Sequence, residues 1–390
     1  MRLSHADVND AETTACMLRW YEAFRRPLPF RSNRAPYAIW IAEIMAQQTT
    51  MRAVVPYWQR FLATFPDIES LARADIDQVL ALWSGLGYYR RARQLHRAAQ
   101  TIVNELAGRF PETLEQLRTL PGVGPYTAAA IASICFGLPT PVVDGNVIRV
   151  LTRFAGIEGD PKRVRVRRQI EERARDLIDP TRPGEFNQAL MELGALVCRR
   201  HNPRCDACPL AGGCRALAMG DPVRFPQTVP SRPSVALVTG YALIVDTNGA
   251  VLLHRIPPGE FNAGLWELPG AVLIRKQSAD NDKRRESFSG RDISPSLAHA
   301  LEKALATSLE IEARVGPLLL RARHTITHHR ILGLICEAVL TSSLHPSSAL
   351  EYFKLESLEA IALTSLTRRA LREWTRRRSQ EASATMRTRP

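Results

Sequence analysis

The stretch CRRHNPRCDACPLAGGC, from Cys198 to Cys214, holds four of the chain's seven cysteines in a C-x6-C-x2-C-x5-C spacing. Four thiols this close along a chain are either cross-linked to one another or bound to metal. Disulfides are disfavoured. The opening MRLSHADVND has no apolar core of a secretory signal, so a reducing cytosol is the expected compartment. A chain of 390 residues buries large cores without covalent staples. The count is also odd, and Cys16, Cys135 and Cys336 are scattered through helical or strand-like stretches, where they read as small buried apolar residues.

Metal is therefore the expectation, and spacing bears on which. Zinc sites usually present two separated C-x2-C pairs or mix Cys with His. Here one C-x2-C is flanked by two longer arms, a pattern that suits four thiolates wrapped around a 4Fe-4S cubane. Pro203 and Pro209 stiffen the wrap, and Gly212 and Gly213 permit its last turn. Spacing favours cluster over zinc without excluding zinc.

Lys and Arg exceed Asp and Glu by 52 − 39 = 13, which suits a polyanionic partner, a nucleic acid or a membrane surface. No apolar run approaches the length of a membrane span. Apolar residues recur at helical spacing through the first 215 residues, punctuated by Pro/Gly breaks such as LPGVGPY and FGLPTPVVDGN. The proline-rich MGDPVRFPQTVPSRPS has no period and reads as an extended linker. Beyond it, two β-type runs meet at Asn248-Gly249 as a hairpin. A polar loop over 276–292, a helix, two further strands and a closing helix follow. The predicted organisation is multidomain. An all-α domain spans 1–215, a linker 216–234, an α+β domain 235–378 and a basic, disordered tail 379–390.

Within the helical part, LPGVGPYTAAAIASICFG sets Gly122 and Gly124 around a tight turn, with Pro125 opening an Ala-rich helix. Bare backbone N–H groups at such a helix start suit phosphate and fix register on a duplex without reading sequence. Some twenty residues on, PVVDGNVIRVLTRF places Asp144 before Gly145 and Asn146, which taken alone is a turn and a helix cap.

A helix-hairpin-helix, a Gly/Pro-rich loop, an aspartate and the cysteine spacing, in this order, resemble the DNA glycosylase superfamily of endonuclease III and MutY. The resemblance covers most of the first 215 residues. It implies two helical lobes with the substrate base between them and a 4Fe-4S cluster held by Cys198, Cys205, Cys208 and Cys214 beside double-stranded DNA. It further implies a monomer working in the cytoplasm on adenine mispaired with 8-oxoguanine or guanine, with no membrane involved.

Breaking an N-glycosidic bond requires a proton for the leaving base and negative charge near the developing oxocarbenium ion, a task suited to two carboxyl groups in different environments. Asp144 is one candidate. Glu43, the only charged residue between Arg34 and Arg52, is the other, and its apolar neighbours predict a raised pKa. On a helix, Trp40, Glu43 and Gln47 would share a face. The resemblance assigns Glu43 to adenine protonation and Asp144, with Asn146 beside it, to the cation or to capture of C1′. It places Gln48 and Tyr88 as wedges filling the gap left by the flipped base, and Arg26, Leu28 and Phe30 in the adenine pocket.

Three other activities compete. A β-lyase needs an amine for a Schiff base. The family's lysine position is Tyr126 here, and no lysine lies between Met1 and Ala155. The stretch GLWELPG resembles Nudix hydrolases, but the following helix LEKALATSLEIEA lacks the R-E-x-x-E-E metal core, so the domain reads as a binding module. A non-catalytic mismatch binder is the third; both carboxylates argue against it. In RHTITHHRI, the resemblance sets Ile326, Thr327 and His328 where the family's 8-oxoguanine-reading triplet stands, with Thr327 and His328 as the readers.

Overall fold

The structure is a computed structural model describing residues 9–227, 234–277, 293–326, 328–344 and 349–387. It divides into two compact units, Met1–Arg73 with Arg93–Pro230, and Ala74–Ala92 with Ser231–Pro390.

The first unit is built from α1 (Asp10–Phe24), α2 (Pro36–Ala46), α3 (Met51–Thr64), α4 (Ile68–Arg73), most of α6 (Arg90–Glu105), α7 (Leu114–Thr119), α8 (Pro125–Phe136), α9 (Gly145–Ala155), α10 (Val164–Leu177), α11 (Pro183–Leu196) and the short α12 (Arg215–Ala218). Between α4 and α6, α5 (Ile76–Trp83) clusters with the second unit. Helix α2 is buried from Ala38 through Met45 and α8 from Thr127 through Ser133. Helices apolar on every side belong in a core, and these two pack on each other. A second cluster joins α1, α9, α10 and α11 through Met17, Val150, Ile170 and Leu190, with Cys198, Cys208 and Cys214 packed against it.

The segment expected as linker is ordered through Gln227. Phe225 is buried, its carbonyl accepts from Arg153 Nε at 3.1 Å, and Gln227 Oε1 accepts from Gly159 N at 2.9 Å. A buried apolar side chain and these two hydrogen bonds hold the proline-rich stretch to the helical unit.

In the second unit, β1 (Val235–Ile244), β4 (Gly270–Gln277), β5 (Ala313–Ile326) and β6 (His329–Leu340) form a sheet ordered β4-β1-β6-β5. Strands β2 (Val251–Arg255), β3 (Trp266–Glu267) and β7 (Leu350–Phe353) form another, ordered β3-β2-β7. Helix α13 (Pro295–Leu309) covers Ala242 and Ile244 with Leu301 and Leu305, while α14 (Ser365–Arg387) covers Leu243 and Ile335 with Ala370 and Trp374. The turn expected at Asn248-Gly249 forms, with Gly249 N donating to Asp246 O at 3.1 Å. It does not make a hairpin within one sheet. Beyond one isolated bridge, Val245 to Val251, the chain passes from the first sheet into the second.

The tail predicted as disordered from residue 379 instead continues α14 to Arg387. SQEASATMR contains no helix breaker, so the helix propagates. Most of the polar loop expected over 276–292 lies outside the described residues.

Candidate active site

Because α2 is buried all round, Glu43 is carried inside with it. The residue is 7 % exposed, and burial raises its carboxyl pKa to about 7. Tyr126, in the first turn of α8, donates its hydroxyl hydrogen bond to Glu43 Oε2 at 2.9 Å, which opposes the rise, while the Asp144 charge adds to it. Tyr126 also contacts Met191 Sδ at 3.4 Å. Gln47, expected on the Glu43 face of the helix, is the residue that ends α2, and its Nε2 reaches Thr127 Oγ1 on α8 at 3.0 Å.

Asp144 fulfils the capping role and stands by the site as well. Its Oδ1 accepts from Val147 N at 2.7 Å and its Oδ2 from Asn146 Nδ2 at 2.8 Å. Asn146 Oδ1 in turn accepts from Arg149 at 2.9 Å. Burial raises the Asp144 pKa and these hydrogen bonds oppose it. Glu43 and Asp144 are thus two carboxyls in contrasting surroundings. Among the described residues Glu43 accepts from one phenol, whereas Asp144 accepts from a backbone N–H and an amide, so more donors favour the Asp144 anion.

The pocket segment contains an arrangement that sequence reading missed. Glu192 on α11 has a side chain 1 % exposed, and it takes Arg26 on Nε and Nη2 at 2.8 and 2.7 Å and Arg31 on Nη1 and Nη2 at 3.1 and 2.7 Å. Burial would raise its pKa, but the two guanidinium groups hold it at about 2. Arg31 also lowers the Glu43 pKa through its charge. Phe30 is buried edge-on to Trp58, ring centroids 5.9 Å apart, and Leu28 is half-buried. The available signal was that Glu192 is the only acidic residue between Glu185 and Asp206, in an apolar run like that of Glu43.

The hairpin before α8 has the expected form. Gly122 has φ +76°, and a Cβ there would meet Gln94 Cβ at 2.6 Å, so only glycine fits. Gly124 caps α8 with no side-chain acceptor for its first N–H groups, and nothing stands within 4 Å of where its Cβ would be. The two wedge candidates each occupy left-handed backbone, Gln48 at φ 58° and Tyr88 at φ 50°, and both are exposed. Non-glycine residues held in that region mark strained, over-determined loops.

Residues 41–176 match the HhH-GPD superfamily of base excision DNA repair proteins, and residues 240–373 match the NUDIX domain. An adenine DNA glycosylase of Buchnera aphidicola subsp. Baizongia pistaciae is 39% identical over 256 residues, covering 64% of this chain and 70% of that protein. The chain belongs to the MutY-type adenine DNA glycosylase family. The Mus musculus adenine DNA glycosylase is 45% identical over 309 residues, 66% of this chain. The chain spans about 60% of the length of the rat and mouse relatives it matches. A solved thermostable thymine-DNA glycosylase, 28% identical, superposes with a TM-score of 0.50 over 54% of this chain and 97% of its own.

Against that family, the cysteine loop has a fitting donor set. Cys198, Cys208 and Cys214 pack against one apolar cluster, and Cys198 acts electrostatically on Cys205, Cys208 and Cys214 alike. Burial pushes the Cys208 thiol up to about 12. Among the described residues no group of three or more His, Cys, Asp or Glu side chains is placed to hold a metal ion. Arg153, 2 % exposed, adds a buried positive charge. Its Nη1 lies 3.4 Å from Cys198 Sγ and donates to Arg199 O at 2.7 Å, and its Nη2 donates to Arg200 O at 3.1 Å. A charge of that sign would offset the negative charge of four metal-bound thiolates.

Of the two residues expected to read 8-oxoguanine, Thr327 lies outside the described residues. His328 is exposed at the turn between β5 and β6, its ring 4.1 Å from that of His329.

Proposed function

We propose that the chain is a monofunctional glycosylase of base excision repair that hydrolyses the N-glycosidic bond of adenine paired with 8-oxoguanine or guanine in duplex DNA. The observation that carries this reading is Glu43, a buried carboxyl whose pKa near 7 keeps a proton available at neutral pH. Glu43 gives that proton to the departing base. Asp144, whose charged form the hydrogen bonds from Val147 N and Asn146 Nδ2 favour, stabilises the oxocarbenium ion or captures C1′ before water completes the hydrolysis. Tyr126 offers no amine where a lyase would need one, so the product keeps its strand intact until alkali or heat cleaves it.

Cys198, Cys205, Cys208 and Cys214 would hold a 4Fe-4S cluster, which when bound ties the loop together through iron–sulfur bonds. The loop then presents Arg199, Arg200 and Arg204 to phosphate. The bare first turn of α8 takes a second phosphate. The NUDIX-like unit serves as the reader of the opposite base through Thr327 and His328. The protein works as a cytoplasmic monomer.

The test is incubation with duplexes carrying adenine opposite 8-oxoguanine, guanine, cytosine or thymine, followed by alkaline scission. Scission confined to the first two supports the reading. Mismatch binding without base release would make the chain a binder, and scission before alkali would make it a lyase.

A further inference from the structure

We propose that Asn187 is a positioning residue that sets Asp144 against the Glu43–Tyr126 pair. This rests on the excision reading above and deepens it. Asn187 lies in the second turn of α11 and is 1 % exposed. Asparagine is a poor residue for a helix interior, and a buried amide is costly unless every group is paired. Here it is paired outward, away from its own helix. Its Oδ1 accepts from Val142 N at 3.0 Å, and its Nδ2 donates to Thr140 O at 2.9 Å and to Ser133 Oγ at 2.9 Å.

Those three partners lie on α8 and on the segment that follows it. Ser133 is on α8, the helix that begins with Tyr126. Thr140 and Val142 belong to the irregular strip that leaves α8 and ends at Asp144, the cap of α9. The strip has no ladder of its own, and the buried Val142 N–H donates its hydrogen bond to Asn187 Oδ1. One amide thus fixes the helix carrying Tyr126 to the segment carrying Asp144, two residues from the carboxylate.

Helix α11 is itself locked in register against both neighbours. A Cβ on Gly184 would lie 2.7 Å from Ile134 Cα of α8, and one on Gly194 would lie 2.6 Å from Asn146 Cβ of α9. Asn187 stands between these two close crossings. A substitution that frees the 138–143 strip leaves α11 in place and lets Asp144 drift from Glu43.

The consequence is measurable at Glu43, which faces Tyr126 and Cys135 from α8, Asp144 from the start of α9, and Arg31. Of these, Asp144 raises the Glu43 pKa. In the full-length Asn187→Ala protein, carbon-13 carboxyl NMR should therefore find Glu43 titrating lower than in the wild type, by about half a unit. Native-state hydrogen exchange at Val142 should quicken. Single-turnover adenine excision should fall roughly 10- to 100-fold, while binding to a duplex carrying a non-cleavable adenine analogue stays within about threefold.

Ser133→Ala, which removes only the tie to α8, should move the same readouts by less and serves if Asn187→Ala fails to fold. An unshifted Glu43 titration in a folded variant overturns the proposal, even if stability drops. The titration and the exchange do not depend on excision. If the wild type excises no adenine, they still decide the positioning role, and only the excision reading fails.

Discussion

Tyr126 donates its hydroxyl to Glu43 Oε2 at 2.9 Å, and that single hydrogen bond works against the burial that makes Glu43 an acid. Burial raises the Glu43 pKa; the phenol lowers it by favouring the anion. Tyr126→Phe keeps the ring and removes the opposing bond. The alkaline limb of the excision rate should then move to higher pH, on the order of one unit. A single-turnover pH profile checks this. A limb that stays put would mean that Tyr126 acts through packing alone.

Glu43→Gln removes the proton donor and leaves its shape. Excision should be lost with mismatch affinity retained. Stability should change in a pH-dependent direction. A carboxyl whose folded pKa is raised to about 7 contributes fully below its unfolded value near 4.5, and loses that contribution as pH climbs through 7. The Gln variant should therefore match the wild type near pH 5 and exceed it near pH 8, by on the order of 2–3 kcal/mol. Denaturant titrations at both pH values test the sign, and equal stability at pH 8 would contradict it.

Glu43 was legible because a lone charge in PYAIWIAEIMAQQT has nowhere comfortable to go, and the helix carrying it proved apolar on every side. Glu192 stands in a similar run, yet its role depends on Arg26 and Arg31, 166 and 161 residues away, and no local pattern reports such a pairing. Arg153 is similar. In sequence it is a basic residue in the last turn of a helix; in the fold it is buried and spends its donors on three backbone carbonyls. Turn chemistry was readable at Asn248-Gly249, but the passage from one sheet to the other there is a property of the packed unit.

Glu192 binds Arg26 and Arg31 almost out of water, so breaking the arrangement should be costly. Glu192→Gln leaves the two guanidinium groups without their anion, and unfolding free energy should fall by about 3 kcal/mol. This is the low end for a buried pair, because Arg26 keeps a side chain 36% exposed. A folded pKa of about 2 means that the contribution is present above 4.5 and disappears as pH falls toward 2. The gap between wild type and variant should thus be constant from pH 8 to 5 and close below about pH 4. A gap that persists at pH 2 would show that shape, not charge, is at stake.

Arg153 connects the cysteine loop to the segment ending at Phe225. Arg153→Met keeps length and apolar bulk while stripping donors from the carbonyls of Arg199, Arg200 and Phe225. The cost should be at least about 3 kcal/mol. Iron content should drop with it, since the loop that presents Cys198 and Cys205 loses its anchor. Anaerobically purified wild type should be brown and carry about four irons per chain. Stoichiometric zinc in its place would refute the cluster assignment.

Adenine is a normal base, so a pocket that recognised adenine alone would damage intact DNA, and discrimination has to come from the opposite strand. The turn between β5 and β6 is the candidate, with Thr327 supplying a hydroxyl and His328 an exposed imidazole. Each good base-edge contact contributes about 1–3 kcal/mol of discrimination. Thr327→Ala combined with His328→Ala should therefore reduce the preference for adenine opposite 8-oxoguanine over adenine opposite guanine by at least roughly 30-fold, with the slower reaction little changed. Deletion of everything after Pro230 should reduce it further, but it is the coarser test. Ala74–Ala92, the segment with Tyr88, clusters with Ser231–Pro390, so truncation would strip that segment of its partners as well. Competition between the two duplexes in one reaction measures the ratio directly. Full preference in the double variant would move the reader into the helical unit.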